Sequence, residues 1–313
     1  MSECYLCKSK DLKVIQDTLR HNVERKVLRC SSCELNFLEP RKTHLQKYYD
    51  SDYRKLYTPV LGQSLNCQEL FDISIDYQKE RIKEISPYLK KDMKVLDVGC
   101  SVGYFLHTLK PLVKECVGIE FNTEHAEYVN EVLKIKVYTE SIEKLNFPEE
   151  TFDMITAYQV FEHVEDPLIF LENLKKYLKP NGVLVLEVPN LNDVLISQVN
   201  HQKYQDFWYR DPHVFNYSSH TLKKMTEAAG FKGESKSITR YSLLNHLHWK
   251  MTGRPQASVV EGTSVPLYVE GNPKDKSAQE ALNSWFAKAD EEYRSILKQF
   301  DLGSALLYVG RKS

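Results

Sequence analysis

Four of the seven cysteines, Cys4, Cys7, Cys30 and Cys33, form two C-x-x-C pairs separated by 22 residues. Each pair can bend around one ion from a tight turn, and four thiolates close a tetrahedral zinc shell with no position left for a substrate. The spacing therefore predicts a structural Zn2+. A redox pair is the lesser alternative, because C-x-x-C sites of that kind open a helix inside a βαβ unit and neither pair here does. Ligation would give a segment of about 40 residues the stability that its own small core lacks.

A second set of residues points to a nucleoside. The apolar run Lys94-Val95-Leu96-Asp97-Val98 leads straight into Gly99-Cys100-Ser101-Val102-Gly103. Glycines at such a point let the backbone turn sharply and let a ligand approach the main chain. Dinucleotide sites use G-x-G-x-x-G, so that a pyrophosphate sits on the helix N-terminus. Here the spacing is G-x-x-x-G, and Asp97 just before it would repel a pyrophosphate while suiting ammonium and sulfonium charges. The next apolar run ends Val117-Gly118-Ile119-Glu120, and an acidic residue there can accept both ribose hydroxyls. Asp97 with Glu120 describes a nucleoside site without phosphates, which S-adenosylmethionine fits better than NAD.

Methyl transfer from a sulfonium is an in-line displacement, so the protein mainly positions the nucleophile and removes its proton where needed. Two histidines are the candidate catalytic bases. His163 follows the fourth apolar strand, where substrates bind in sheets of this kind; a helix-capping or packing role is equally open. His213 ends the aromatic stretch Phe207-Trp208-Tyr209-Arg210-Asp211-Pro212-His213. Trp208 and Tyr209 could stack on a sugar ring or belong to the core, and Arg210 could pair with an acceptor phosphate or carboxylate or with a surface carboxylate. After the fourth strand stands Tyr158-Gln159-Val160, without the Asn-Pro-Pro-Tyr motif used on exocyclic amines of bases. No Pro-Cys dipeptide offers the nucleophile of cytosine C5 enzymes.

These residues need elements to hold them. From Met93 onward, short apolar strands at 94–98, 116–119, 135–138, 152–157 and 182–188 alternate with helical stretches at 103–110, 123–133 and 166–178. That alternation predicts a mainly parallel α/β sheet with helices on both faces. A helix over 218–230, capped by Ser218 and closed by Gly230, precedes a strand near 234–241. The final strand, 305–310, comes after an insertion of about 60 residues at 242–302. Within it, Ala278, Leu282, Trp285, Phe286, Ala289, Tyr293, Ile296 and Leu297 mark one face of a long helix. The stretch 252–275 reads as a lid or a plain surface excursion. The organisation expected is a zinc module over 1–40, a tyrosine-rich arm (Tyr48, Tyr49, Tyr53, Tyr57) and a helix at 68–88 within 41–90, and the α/β domain over 91–313.

The segment 93–240 resembles the class I S-adenosylmethionine-dependent methyltransferases, particularly those related to ubiquinone-pathway enzymes. The resemblance is carried by Val95-Leu96-Asp97-Val98-Gly99-Cys100, Gly103, Gly118-Ile119-Glu120, Phe152-Asp153-Met154-Ile155, Glu162-His163-Val164-Glu165-Asp166-Pro167, Val188-Pro189-Asn190 and the run His213 to Phe231. It implies a Rossmann-like sheet, mostly parallel with an antiparallel last strand. It further implies methionine-moiety contacts from Gly99, Cys100 and Gly103, with Asp97 ordering the loop, Glu120 on the ribose and Phe121 beside the adenine. At the position where the family often places an aspartate against the adenine stands Ser141, followed by Ile142, and Ser101 stands where many relatives carry glycine. The four-cysteine head followed by Phe37-Leu38-Glu39-Pro40 resembles that of bacterial sugar methyltransferases. Sugar C-methyltransferases of that group carry a further C-terminal domain, and this sequence stops at the last strand of the fold, which speaks against C-methylation; the leading expectation is a sugar hydroxyl as acceptor.

Composition narrows the alternatives. In 313 residues the formal net charge is -1, which argues against broad attraction to nucleic acid or an anionic membrane. No apolar run approaches the ~20 residues of a membrane span. The N-terminus lacks the basic stretch and apolar core of a signal peptide, so a cytoplasmic protein is expected. The oligomeric state is open. The competing reading is an RNA methyltransferase whose zinc module grips RNA; a scaffold that has lost catalysis is a third.

Overall fold

The structure is a computed structural model that describes residues 3–40, 60–265, 267–271 and 274–312. The arm carrying Tyr48, Tyr49, Tyr53 and Tyr57 lies outside the described residues. The N-terminal segment forms β1 (Leu12–Leu19), β2 (Val23–Cys30) and β3 (Asn36–Leu38). Helices α1 (Cys67–Ser74) and α2 (Gln78–Ile85) follow, then β4 (Lys94–Val98), α3 (Tyr104–Leu109), β5 (Glu115–Ile119), α4 (Thr123–Glu131), β6 (Val137–Tyr138), β7 (Phe152–Tyr158), α5 (Pro167–Tyr177) and β8 (Leu178–Pro189). After these come α6 (Val194–Ser197), α7 (Gln202–Trp208), β9 (Phe215–Asn216), α8 (Ser219–Ala228) and β10 (Phe231–Ile238). The insertion contributes α9 (Leu243–Thr252), α10 (Val259–Thr263) and α11 (Lys276–Gln299) before β11 (Ala305–Lys312).

Seven strands form one sheet in the order β10-β11-β8-β7-β4-β5-β6. Every pairing among β8, β7, β4, β5 and β6 is parallel, and β11 runs antiparallel to both of its neighbours. This is the Rossmann-like α/β fold that the alternation of strands and helices predicts. Central strands buried on both faces read as continuous apolar runs: Val95, Leu96, Ile155, Ala157, Leu184 and Leu186 are all wholly buried.

The N-terminal sheet is not self-contained. Its order is β1-β2-β3-β9, so its fourth strand comes from residues far along the chain, with Phe37 opposite Phe215 and Asn36 opposite Asn216. Cys4, Leu28, Cys30 and Phe37 lie in the same packed cluster as Leu96, Phe161, Phe215 and Tyr217. The two sheets therefore share one core.

Two elements differ from the sequence expectation. The helix expected over 68–88 is broken into α1 and α2. At the break the Gln78 side-chain amide donates to the Ser74 carbonyl at 2.8 Å, and the Gln78 backbone N–H turns to Ile75 O. A side chain thus takes the bond that would have continued the helix. In α11 the apolar face is wider than the surface it meets: Phe286 and Leu297 are buried, whereas Leu282, Trp285 and Ile296 stay exposed. The centre of the buried stripe is Asp290, which accepts from Leu243 N at 2.6 Å and from Arg294 Nε at 2.5 Å.

Candidate functional site

The carboxyl ends of β4, β5 and β7 meet at the loop 99–103. Gly99 N and Cys100 N both donate to Ile119 O, at 2.8 and 3.0 Å, which ties the loop to the end of β5. Gly99, Ser101 and Gly103 have φ of +72°, +52° and +76°. A Cβ on Gly99 would overlap the Val160 side chain, and one on Gly103 would stand 2.8 Å from Val129 Cγ2 on α4. The glycines are thus required both by conformation and by close approach. Ser101 accepts the left-handed conformation that glycine would take without strain.

Glu120 is the carboxylate that orders this loop. Its Oε2 accepts from Ser101 N and its Oε1 from Asn122 N, both at 2.9 Å. Each oxygen keeps a further lone pair, which suits a pair of vicinal hydroxyls. Asp97 is 3% exposed and accepts from the Thr156 hydroxyl at 2.6 Å; no bond from it to the loop is among its described contacts. Burial pushes its carboxyl up to about 7, against the Thr156 bond and the Arg81 charge. Phe121, directly after Glu120, is exposed. Ile142 and the Cys100 side chain are buried in the core, so these two positions offer the site only their backbone. Ser141, half-exposed, directs its carbonyl to Lys144 N at 2.9 Å.

The raised Asp97 carboxyl has a measurable consequence. Between its ordinary value of 3.8 and about 7 the folded chain holds a proton that the unfolded chain has released. The stability this contributes is present at low pH and lost as pH rises through the folded value. Asp97→Asn is therefore expected to melt above the parent at about pH 8, and by a smaller margin at about pH 5, in thermal unfolding without cofactor. A margin independent of pH would overturn this assignment.

His163 and His213 come together beyond β7, with ring centroids 4.8 Å apart and planes at 89°. His163 Nδ1 lies 3.0 Å from Pro212 O. Burial and then the Arg210 charge lower the His163 imidazole to about 3, and the same causes hold His213 well below its usual range. Both rings are thus neutral near pH 7. Beside them stands Glu162, 1% exposed, which sequence reasoning did not single out although it precedes His163 in the Glu-His pair.

Arg210 is half-buried and lines a crevice with a cavity of about 160 Å³. Arg20 from the N-terminal module and Arg240 from the end of β10 line it too, together with Gln159 and the rings of Tyr204, Phe207, Trp208, Tyr241 and Trp249. No carboxylate is among the described lining residues. The Arg20 guanidinium sits 3.8 Å over the Phe207 ring. Trp208 lines the crevice although it is largely buried, while Tyr209 is a core residue packed at 5.0 Å on Trp208. The stretch 252–275 reaches the crevice as well, through Pro255, Gln256, Ser258 and Val259. Behind the crevice, Glu187 is wholly buried and paired with both Arg81 and Arg240, the former at 2.9 Å. Neither arginine carried a sequence signal, because their partner lies on a distant strand.

The four cysteines converge. Cys4 Sγ lies 3.5 Å from Cys33 Sγ, Cys7 Sγ lies 3.5 Å from Cys30 Sγ, and all four sulfurs are within 4.8 Å of one another. Sulfurs around one zinc at ~2.3 Å stand roughly 3.8 Å apart, so this donor set fits a tetrahedral ion. The two knuckles match in backbone: Lys8 and Glu34, each directly after the second cysteine of its pair, have φ of 61° and 66°. Between Cys4 and Cys7, Tyr5 packs edge-on against Phe215 at 5.2 Å, and its hydroxyl donates to Asp166, the cap of α5.

Residues 74–236 match a methyltransferase domain family. A tRNA U34 carboxymethyltransferase of Hydrogenovibrio crunogenus is 26% identical over 260 residues, covering 72% of this chain and 76% of that protein. A ubiquinone biosynthesis O-methyltransferase of Bradyrhizobium diazoefficiens is 32% identical over 107 residues, which are 32% of this chain and 41% of that protein. The chain thus spans about three quarters of the first relative's length and less than half of the second's. Among solved structures, Haemonchus contortus phosphoethanolamine N-methyltransferase 2 with S-adenosyl-L-methionine superposes with a TM-score of 0.53 at 14% identity, covering 88% of this chain and 62% of that one. That likeness is one of fold. Among the described residues no helix is long and apolar enough to cross a membrane.

Proposed function

The chain belongs to the methyltransferase-domain family and is an S-adenosylmethionine-dependent methyltransferase, and on that premise we propose that it methylates a hydroxyl of a small acceptor bearing an anionic group, with an activated sugar as the candidate. The observation that carries this reading is the crevice of Arg20, Arg210 and Arg240 between aromatic walls. Guanidinium forks match phosphate or carboxylate oxygens, and flat rings suit the faces of a sugar. Burial of Arg240 beside Arg81, with Glu187 the one carboxylate paired to both among the described residues, leaves a surplus of positive charge there that an anion would offset.

In this reading Gly99, Cys100 and Gly103 receive the methionine end of the cofactor and Asp97 favours its cationic part. Glu120 takes the ribose, while Phe121, Ser141 and Ile142 border the adenine. The cofactor supplies an electrophilic methyl group; the rest is placement. The arginines and rings seat the acceptor, and His163 and His213 are the candidate groups to take its hydroxyl proton once the bound acceptor changes their surroundings. Zn2+ on Cys4, Cys7, Cys30 and Cys33 is structural. A reducing compartment keeps such thiols available for metal, so the cytoplasm is the proposed setting.

A second reading keeps the chemistry and exchanges the acceptor for RNA. It is favoured by the relative named for tRNA U34, and neither relative named above is named for a sugar. Labelled S-adenosylmethionine offered with nucleotide-sugar pools or with RNA separates the two. Label in the small-molecule fraction is expected; label in RNA, with retention that falls steeply with salt, would transfer the assignment. For the small acceptor, Arg20→Gln is expected to raise KM by roughly 10- to 100-fold, the worth of one charged hydrogen bond. Cofactor affinity should stay unchanged, as read by titration calorimetry. Equal KM in the variant would remove Arg20 from acceptor binding.

A further inference from the structure

Resting on the crevice as the seat of an anionic acceptor, we propose that Arg294 on α11 is its positioning residue: one guanidinium ties together three segments that line it. Arg294 is not among the described lining residues, so it acts through others. The role falls to the long insertion, which carries both Arg294 and two of the three segments.

β10 ends at Ile238, and the carbonyls of Thr239 and Arg240 have left the sheet ladder. Arg294 Nη1 donates to both, at 3.3 and 3.1 Å. Its Nη2 donates to Thr263 O at 3.1 Å, at the end of α10, where a helix leaves its last carbonyls without partners of its own. Its Nε donates to Asp290 Oδ2 at 2.5 Å, and the other oxygen of Asp290 accepts from Leu243 N at the start of α9. Each segment reaches the crevice: Arg240 and Tyr241 after β10, Asn245 and Trp249 on α9, Ser258 and Val259 at the start of α10.

A planar fork suits this task. It meets four acceptors in fixed directions, which a compact ammonium on a flexible stem cannot do. Asp290, 2% exposed, offsets the Arg294 charge, so the residue itself adds little attraction for an anion. Arg240 is the group it serves. The Arg240 guanidinium pairs with Glu187, and its Nε, buried, has no hydrogen-bond partner among the described residues. With its backbone held by Arg294 and its side chain by Glu187, Arg240 is oriented before any anion arrives. A displacement of about 1 Å would forfeit most of that fit.

The zinc-loaded full chain is compared as parent, Arg294→Ala and Arg294→Lys. Hydrogen exchange without ligand comes first. Faster exchange is expected in both variants over 240–249 and 256–264, with β4 and β7 unchanged. Guanidinium chloride, at a concentration that leaves the parent unchanged, should restore Arg294→Ala, because Arg294 borders a cavity of about 810 Å³ that admits so small an ion. Inorganic pyrophosphate, titrated by calorimetry, then probes the crevice. Its Kd is expected to rise by about tenfold or more in both variants, the worth of one misplaced charged donor. Guanidinium should reverse that rise in Arg294→Ala, and cofactor affinity should stay parental throughout. Parental exchange in Arg294→Ala would overturn the proposal. So would a parental pyrophosphate Kd in Arg294→Lys, which would reduce the residue to a charge at a distance. Losses in Arg294→Ala that guanidinium does not restore would also count against it, as general damage. If the parent binds no pyrophosphate, the anion reading of the crevice falls, and the exchange result alone decides the role of Arg294. If Arg294→Ala does not fold by circular dichroism, Arg294→Lys decides by the exchange and pyrophosphate readouts.

Discussion

Glu120→Ala is expected to lower the affinity for S-adenosylmethionine by about 100-fold or more, as measured by titration calorimetry with the cofactor or its demethylated product. The carboxylate ends β5, half-buried, and its two oxygens already hold Ser101 N and Asn122 N at 2.9 Å. Those bonds orient it, so binding the ribose costs little further ordering. Two hydroxyls on its remaining lone pairs would make charge-assisted bonds of ~1.5–3 kcal/mol each, which together correspond to roughly two to four orders of magnitude in Kd. Glu120→Gln, with one acceptor oxygen left, should fall between the two. The substitution also unties Ser101 from α4, but the loop keeps the bonds from Gly99 N and Cys100 N to Ile119 O. Melting should therefore move by only a few degrees. Parental affinity in Glu120→Ala would mean that this strand end does not hold the cofactor.

Cys33→Ser should reduce the zinc content from one ion per chain to none by native mass spectrometry, and lower the melting temperature by about 10 °C or more. Structural zinc contributes folding free energy directly, and loss of several kcal/mol shifts a domain of this size by that amount. The damage should reach the acceptor side selectively. The N-terminal module braces the segment that carries Arg210 and His213: Arg20 N donates to Tyr209 O and Leu38 N to Val214 O, both at 2.8 Å, and Arg25 pairs with Asp211 at 2.9 Å. The loop 99–103 has no bond to the module among the described contacts. Cofactor binding is thus expected to survive in Cys33→Ser at temperatures where acceptor turnover is lost. Parent protein without zinc, and with all four thiols reactive, would remove the metal from the account.

The strand-turn-helix succession from Lys94 to Pro189 was legible because each part is a local signal: apolar runs, helical spacing, and glycines where φ is positive. The G-x-x-x-G loop and the paired cysteines were legible for the same reason, since each motif is set by residues a few positions apart. The pairing of Phe37 with Phe215, the ion pair of Arg25 with Asp211 across 186 positions and that of Arg81 with Glu187 across 106 left no mark in the sequence. Assigning the loop-ordering role to Asp97 failed to foresee that Thr156, on the neighbouring strand, takes its carboxylate and that Glu120 takes the loop. By itself, then, the sequence determined the sheet, the glycine turn at 99–103 and the cysteine cluster, each fixed by short spacing and turn geometry. Only the tertiary structure decided that Arg20, Arg210 and Arg240 face one crevice and that Glu162 joins His163 and His213. Convergence of that kind depends on how distant strands and helices pack, and packing is set by shape and burial summed over the whole core.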